Sequence, residues 1–214
     1  TARILDDPGF LEAIIEAFLA PVQARMVVAR QEHVEITQLL GQDEGKWLEY
    51  KATFRTSVPE GKVLKALETA STKAVAGCLN SYEGGTLLIG VTDDGTVHGL
   101  DSDFASLHKE GKEDTDRFML HVQQALINAV GQAAAAFVSI QMHNVDGKDL
   151  ARVHVRPCAH PVWAKVSAER DGQRITEERF YVRLNGMTAP FEGEHIQLFI
   201  SGRWPDRNPG PDED

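Results

Sequence analysis

Hydrophobic positions recur at helical spacing through the first third of the chain. Phe10, Ile14 and Phe18 lie beside a second stripe of Leu11, Ile15 and Leu19. Asp7-Pro8 is a helix start, with Asp as N-cap and Pro at the first helical position. Pro21 kinks or restarts the helix, a short helical segment follows from Val34 to Leu40, and Gly41 ends it. From Trp47 to Phe54 the period changes to two: Leu48, Tyr50, Ala52 and Phe54 share one face, and Trp47, Glu49, Lys51 and Thr53 the other. Val63 to Tyr82 returns to helix, with Leu64, Leu67, Ala70, Ala74, Val75, Cys78 and Leu79 on its apolar side. Thr86 to Val91 reads as a buried strand, and Asp94-Gly95 as a tight hairpin turn into Val97 to Leu100. Helices follow near Asp101 to Lys109 and Thr115 to Val130. Strands follow at Ala136 to Asn144 and Leu150 to Arg156, joined at Asp146-Gly147, then at Pro161 to Val166 and Thr176 to Leu184. A last helix runs from Glu192 to Ser201.

Helices and strands are partly segregated, which predicts an α+β fold: a mixed or antiparallel sheet with packed helices, preceded by an N-terminal helical segment. The expected divisions are a helical appendage over 1–41, a folded domain over 42–205, and a disordered tail over 206–214 rich in Pro, Asp and Gly. The N-terminal helices also read as a dimerisation element.

Composition adjusts this picture in three places. The 214 residues are 42% hydrophobic, enough for a real core without metal or disulfide. Two cysteines, Cys78 and Cys158, imply no disulfide framework and point to reduced thiols in a cytoplasmic protein. The net charge of −10 argues against a uniformly basic nucleic-acid binder. The charge is uneven, however. Arg152, Arg156, Lys165, Arg170, Arg174, Arg179 and Arg183 outnumber the acids between Ala151 and Arg183, and local sign governs how a polyanion is steered. No Asp, Glu, Lys or Arg falls between Arg117 and Asp146, but Gln123, Gln124, Asn128, Gln132, Gln141 and Asn144 exclude a membrane span there.

Common cofactor signatures fail. Gly41 to Trp47 has three residues between its glycines and no Ser or Thr after Lys46, so it is not a phosphate-binding P-loop. No GxGxxG suggests a nucleotide cofactor, and no CxxC or HxxxH spacing suggests zinc.

Three segments carry the candidate chemistry: Glu44-x4-Glu49-Tyr50-Lys51, Asn80-Ser-Tyr-Glu-Gly84-Gly85-Thr-Leu-Leu-Ile-Gly90-Val91, and Thr92-Asp93-Asp94-Gly95. Together with Phe180 to Thr188 they resemble the AlbA_2 domain of Schlafen-type proteins, particularly bacterial single-domain relatives, from about Glu44 to Trp204. The resemblance implies interaction with nucleic acid, DNA or RNA. Some members are metal-dependent endoribonucleases that cut tRNA or rRNA with three carboxylates, which would fall here on Glu44, Glu49 and Asp93. The chain departs from the vertebrate proteins in lacking their Cys/His zinc cluster and in holding one AlbA-like lobe where they pair two. A homodimer, through that lobe or the N-terminal helices, would restore the pair.

Physical reading of the same residues is compatible with this. Glu44 and Glu49 converge only if the chain bends between them, and Gly45 permits a bend. Converging carboxylates are the hard-oxygen set that Mg²⁺ or Mn²⁺ prefers, and Lys51 beside them would neutralise a phosphate. Lys51, Arg55, Lys73 and Arg183 are the candidate nucleic-acid contacts, Arg183 foremost, since such contacts come mainly from Arg and Lys. Against this, Asp93-Asp94-Gly95 is ordinary turn chemistry, Glu49 and Lys51 form an unremarkable surface pair, and Asn80 reads as a helix-end cap. Three functions stay open: nucleic-acid binding without chemistry, a Mg²⁺- or Mn²⁺-dependent endoribonuclease with Glu44, Glu49, Asp93 and Lys51 as catalytic groups, and a protein-interaction or regulatory domain of a defence or transcription system.

Overall fold

The computed structural model describes residues 34–170 and 173–205. The helical stripes expected before residue 34 and the tail expected over 206–214 lie outside the described residues. Helix α1 (Ile36–Leu40) leads to strand β1 (Leu48–Lys51). Helix α2 (Lys65–Asn80) and strand β2 (Gly85–Ile89) follow, then helices α3 (Asp101–Leu107), α4 (Asp114–Val130) and α5 (Gln132–Ala135). Strands β3 (Val138–Val145), β4 (Lys148–Val155), β5 (Trp163–Arg170), β6 (Gln173–Leu184) and β7 (Met187–Phe191) precede helix α6 (Glu194–Arg203).

The strands form two sheets, ordered β1-β2-β4-β3 and β5-β6-β7. Only β1 and β2 run parallel; the other neighbours are antiparallel. The fold is therefore α+β. The β3–β4 hairpin turns at Asp146-Gly147, where both residues take positive φ, 51° and 81°. That backbone matches the twist of the flanking strands.

Helix α2 lies between the two sheets, which explains its unusually buried sequence, Ser71 and Thr72 included. Its apolar side joins a main core with Phe54, Leu87, Ile89, Phe118, Val153, Val166 and Tyr181. Each large apolar side chain so buried contributes about 1.5–3 kcal/mol. A second cluster covers the other face of the first sheet, where Leu39 of α1 packs on Leu48, Tyr50, Leu88, Val91 and Leu150. The boundary expected at residue 41 thus falls inside a packed cluster, and Val34 to Gly41 belongs to the body of the fold. A third cluster seats Phe180, Val182 and Trp204 beneath α6. Cys78 and Cys158 are both free and buried, and burial pushes the Cys78 thiol up to about 12.

Three local expectations are corrected. The alternation of β1 stops at Lys51 rather than Phe54, because the chain turns and Phe54 enters the main core. The buried Asp103 carboxylate fixes that turn by accepting from the N–H groups of Phe54, Arg55 and Thr56 at 2.7, 3.1 and 3.0 Å, and from the Thr56 hydroxyl at 2.7 Å. Val97 to Leu100 is not a strand; a single Val91–Val97 bridge remains. Asn80 is not a helix cap. It is fully buried and spans the second sheet, donating to the carbonyls of Val162 and Tyr181 and accepting from the Val162 N–H, each at 2.9 Å. Gly84, at φ +74°, lets the backbone close on β4: a Cβ there would lie 2.1 Å from the Val155 carbonyl oxygen.

Candidate nucleic-acid interface

The segment from Glu44 to Lys51 folds back on itself. The Gly45 N–H donates to the Leu48 carbonyl at 3.0 Å, and the Glu44 carboxylate accepts from the Tyr50 N–H at 2.6 Å. Strand β1 is the edge of its sheet. Its Leu48 and Tyr50 backbone groups face away from β2, since the chain pairs with β2 through the carbonyls of Trp47 and Lys51. Glu44 satisfies one of those outward groups. Lys51 Nζ donates to the Tyr50 carbonyl at 2.8 Å, and Arg183 Nη2 to the Leu48 carbonyl at 3.2 Å. The bend at Gly45 is therefore present, and what it builds is a closed edge strand.

Glu49 points to the opposite side, toward the second sheet. Its carboxylate takes the Lys51 ammonium at 2.5 Å on Oε1 and the Arg183 guanidinium on Oε2. Arg183 also donates from Nε and Nη2 to the Gly45 carbonyl, at 3.2 and 2.8 Å, and from Nη1 to Thr188 at 3.2 Å. Every N–H of this guanidinium is thereby engaged, and the side chain is 1% exposed. Arg183 is not a phosphate contact; it is the bolt between the two sheets.

Asp93 stands apart. The ladder sets Glu49 opposite Leu87, so the rest of β2 carries the chain about 7 Å onward, at ~3.3 Å per residue, before the turn that holds Asp93. Asp93 is exposed there. Its neighbour Asp94 organises the turn, accepting from the Thr92 hydroxyl at 2.6 Å and the Thr96 N–H at 3.0 Å, and these bonds hold its carboxyl below the usual range. Among the described residues no three His, Cys, Asp or Glu side chains converge on a position a metal could take. The Mg²⁺ or Mn²⁺ site expected of Glu44, Glu49 and Asp93 does not fit this geometry: both Glu49 oxygens already face cations, Glu44 caps a strand, and Asp93 is remote.

Positive charge collects elsewhere, around Glu68 on α2. This carboxylate is 3% exposed. It accepts from His121 Nε2 at 3.0 Å, faces Arg55 Nε at 3.5 Å and pairs with Lys65. Burial pushes its pKa up, but hydrogen bonds from His121 and Lys65 and their charges outweigh that and hold it at about 2. One carboxylate thus serves three cationic or titratable partners, and Lys65 reaches solvent. A cleft of about 180 Å³ opens beside it, lined by Lys65, Thr69 and Thr72 of α2, Asn128 of α4, and Lys165 and Ser167 of β5. Lys73 lies one turn beyond Thr69 on the same helix, its ammonium 5.7 Å from the centre of the Tyr181 ring.

Of the sequence-predicted residues, Glu49, Lys51 and Arg183 therefore meet at β1, Glu44 caps the same edge strand, Arg55 faces Glu68 of α2, Lys73 lies against Tyr181, and Asp93 joins none of them. Lys65, Glu68 and His121 escaped the sequence reading, and Lys165 entered it only as one of the basic residues between Ala151 and Arg183. The spacing Lys65-x3-Thr69-x3-Lys73 was a visible signal, a polar stripe on an otherwise buried helix.

The chain is similar to the crystal structure of the DIP2311 protein from Corynebacterium diphtheriae, at 15% identity and a TM-score of 0.49. That likeness covers 85% of this chain and 33% of the other, so the chain spans about a third of that protein. No curated protein matches. The family described as Schlafen, AlbA_2 matches residues 44–192, a stretch that runs from the β1 cap through β7 and includes both charged clusters. The chain belongs to the Schlafen AlbA_2 family.

Proposed function

We propose that this domain binds nucleic acid along the cleft between α2 and β5. The observation that carries the reading is the charge balance there. Arg55 and Lys65 face the Glu68 carboxylate, Lys165 lines the same cleft and Lys73 follows further along α2, in a chain whose net charge is −10. Fixed positive charge in a concave, hydroxyl-lined surface concentrates field on a phosphate backbone. The Ser167 hydroxyl on the same lining is a short donor of the kind that accompanies Lys and Arg at such contacts. Glu68 holds Arg55 and His121 in place, so their positions cost little ordering on binding.

The test is anisotropy of labelled tRNA, single-stranded DNA and duplex DNA with increasing salt. Counterion release predicts a log–log slope of about −0.7 to −0.9 per phosphate contact. Three or four contacts would give a slope near −3, and Lys65→Ala would reduce it by about 1. Absence of binding to all three at low salt would refute the proposal.

A further inference from the structure

The first sheet ends in two edge strands that are treated differently. On β1, Glu44, Lys51, Gly45 and Arg183 satisfy the outward backbone groups, as described above. In the second sheet, β7 is short and holds Pro190, and β5 bears Lys165. Charge, proline and capping are the usual defences of an edge against strand addition. Strand β3 has none of them. It is eight residues long, Val138–Val145, and contains no Pro and no charged residue. Among the described residues nothing pairs with its outer side. The Phe137 carbonyl accepts from the Arg156 N–H, so by alternation the backbone groups of Val138, Ile140, Met142 and Asn144 face outward.

The surface beside this edge carries little charge. From Phe118 to Val145, spanning most of α4, all of α5 and β3, there is no Asp, Glu, Lys or Arg in a chain that is 25% charged. A groove lies between α4 and β3, lined by Met119, Leu120, Leu126, Val138 and Ile140, with Asp116 as its one charged side chain. Leu120 is 66% exposed.

We propose that a second copy of this chain docks on the β3 edge. The strands would pair antiparallel about a twofold axis near Gln141, joining two four-stranded sheets into one, with Leu120 of each copy packed against the other's groove. A second copy fits this face for two reasons. An antiparallel edge is complementary to itself about a twofold. Two chains of net charge −10 repel each other, and this face lets them meet with little apposed charge, Asp116 at the groove being the one carboxylate in its lining.

Light scattering should give twice the 23.6 kDa chain mass. Leu120→Lys and Ser139→Lys, both at exposed positions, should weaken the dimer at least ~10-fold with unchanged circular dichroism, as expected of charge placed on an edge and in an apolar contact. Met187→Lys, on the exposed far hairpin, should leave it intact. Gln141→Cys should form a disulfide-linked dimer on mild oxidation, because Cys78 and Cys158 are 5% and 0% exposed and will not compete. A wild-type monomer at ~100 µM, well above the Kd range of specific homodimers, would overturn the proposal. So would a dimer indifferent to both lysine variants, or a Gln141→Cys chain that stays monomeric on oxidation. Capture of a different protein at this edge, with the wild type monomeric, would equally overturn it.

Discussion

Arg183 of β6 and Glu49 of β1 form an ion pair that joins the two sheets, and the same guanidinium grips the carbonyls of Gly45 and Leu48. The pair is nearly dry, so its partners depend on each other. Removing one member of a buried pair leaves a charge without compensation, at a cost of about 3–5 kcal/mol. Arg183→Ala should therefore lower unfolding stability by about that much, measured by urea denaturation. Arg183→Lys should not recover it, because a single ammonium cannot reach Thr188, Glu49 and two carbonyls at once. Glu49→Gln should cost less, since the amide oxygen can still accept from Arg183.

Glu44 acts on the same strand by a different route. Its carboxylate accepts from the Tyr50 N–H at 2.6 Å. Glu44→Ala should expose that donor and loosen β1, at about 1–3 kcal/mol for a lost charged acceptor. Hydrogen exchange at Tyr50 is the direct readout, and it should accelerate in Glu44→Ala but not in Asp93→Ala. Mn²⁺ should leave the thermal midpoint of the wild type unchanged beyond its ionic-strength effect. A metal-dependent rise abolished by Asp93→Ala would restore the three-carboxylate reading.

Glu68 gives a pH signature. Its folded pKa, about 2, lies below the ordinary 4.5. A lowered carboxylate pKa contributes stability that is fully present above the unfolded value and is lost as pH falls through the folded one. The loss should therefore run between pH 4.5 and about 2, on the order of 3 kcal/mol from the conversion of ~1.4 kcal/mol per pKa unit. Glu68→Gln should flatten the stability profile across that window, followed by urea denaturation at successive pH values.

The loop that presents Arg55 depends on Asp103, whose carboxylate accepts four hydrogen bonds from Phe54, Arg55 and Thr56. Asp103→Asn exchanges acceptor capacity for donors that face donors. It should destabilise by about 2–4 kcal/mol, by the cost of buried groups left unpaired. In the folded fraction it should also weaken nucleic-acid binding, although Asp103 itself is buried away from the cleft.

Much of this fold was legible because local pattern and packing agree. The Asp146-Gly147 hairpin, the long helix α4 and the all-buried strand β2 follow directly from turn chemistry and periodicity. Phe54 was misread because alternation continues in sequence past Lys51, while the turn that redirects it is set by Asp103, 49 residues later. Arg183 was misread for a related reason. Sequence shows a cation beside a turn, but not that four acceptors on other elements enclose it. The carboxylates were read as a set because their residue types suit a metal, whereas their separation is a property of strand register. The basic cleft was missed because its members come from α2, α4 and β5, and only Lys65, Thr69 and Lys73 share a helical spacing.

The most direct measurement of the central claim is a paired charge reversal. Lys65→Glu with Lys165→Glu inverts two cations of the α2–β5 cleft. Lys148→Glu, on the exposed turn of the first sheet, changes net charge away from it. Binding of labelled tRNA and duplex DNA at about 50 mM salt should fall at least ~100-fold in the double variant and less than ~3-fold in the control, as expected if two phosphate contacts are lost. Equal losses in both, or unchanged binding in the double variant with the fold intact, would contradict it.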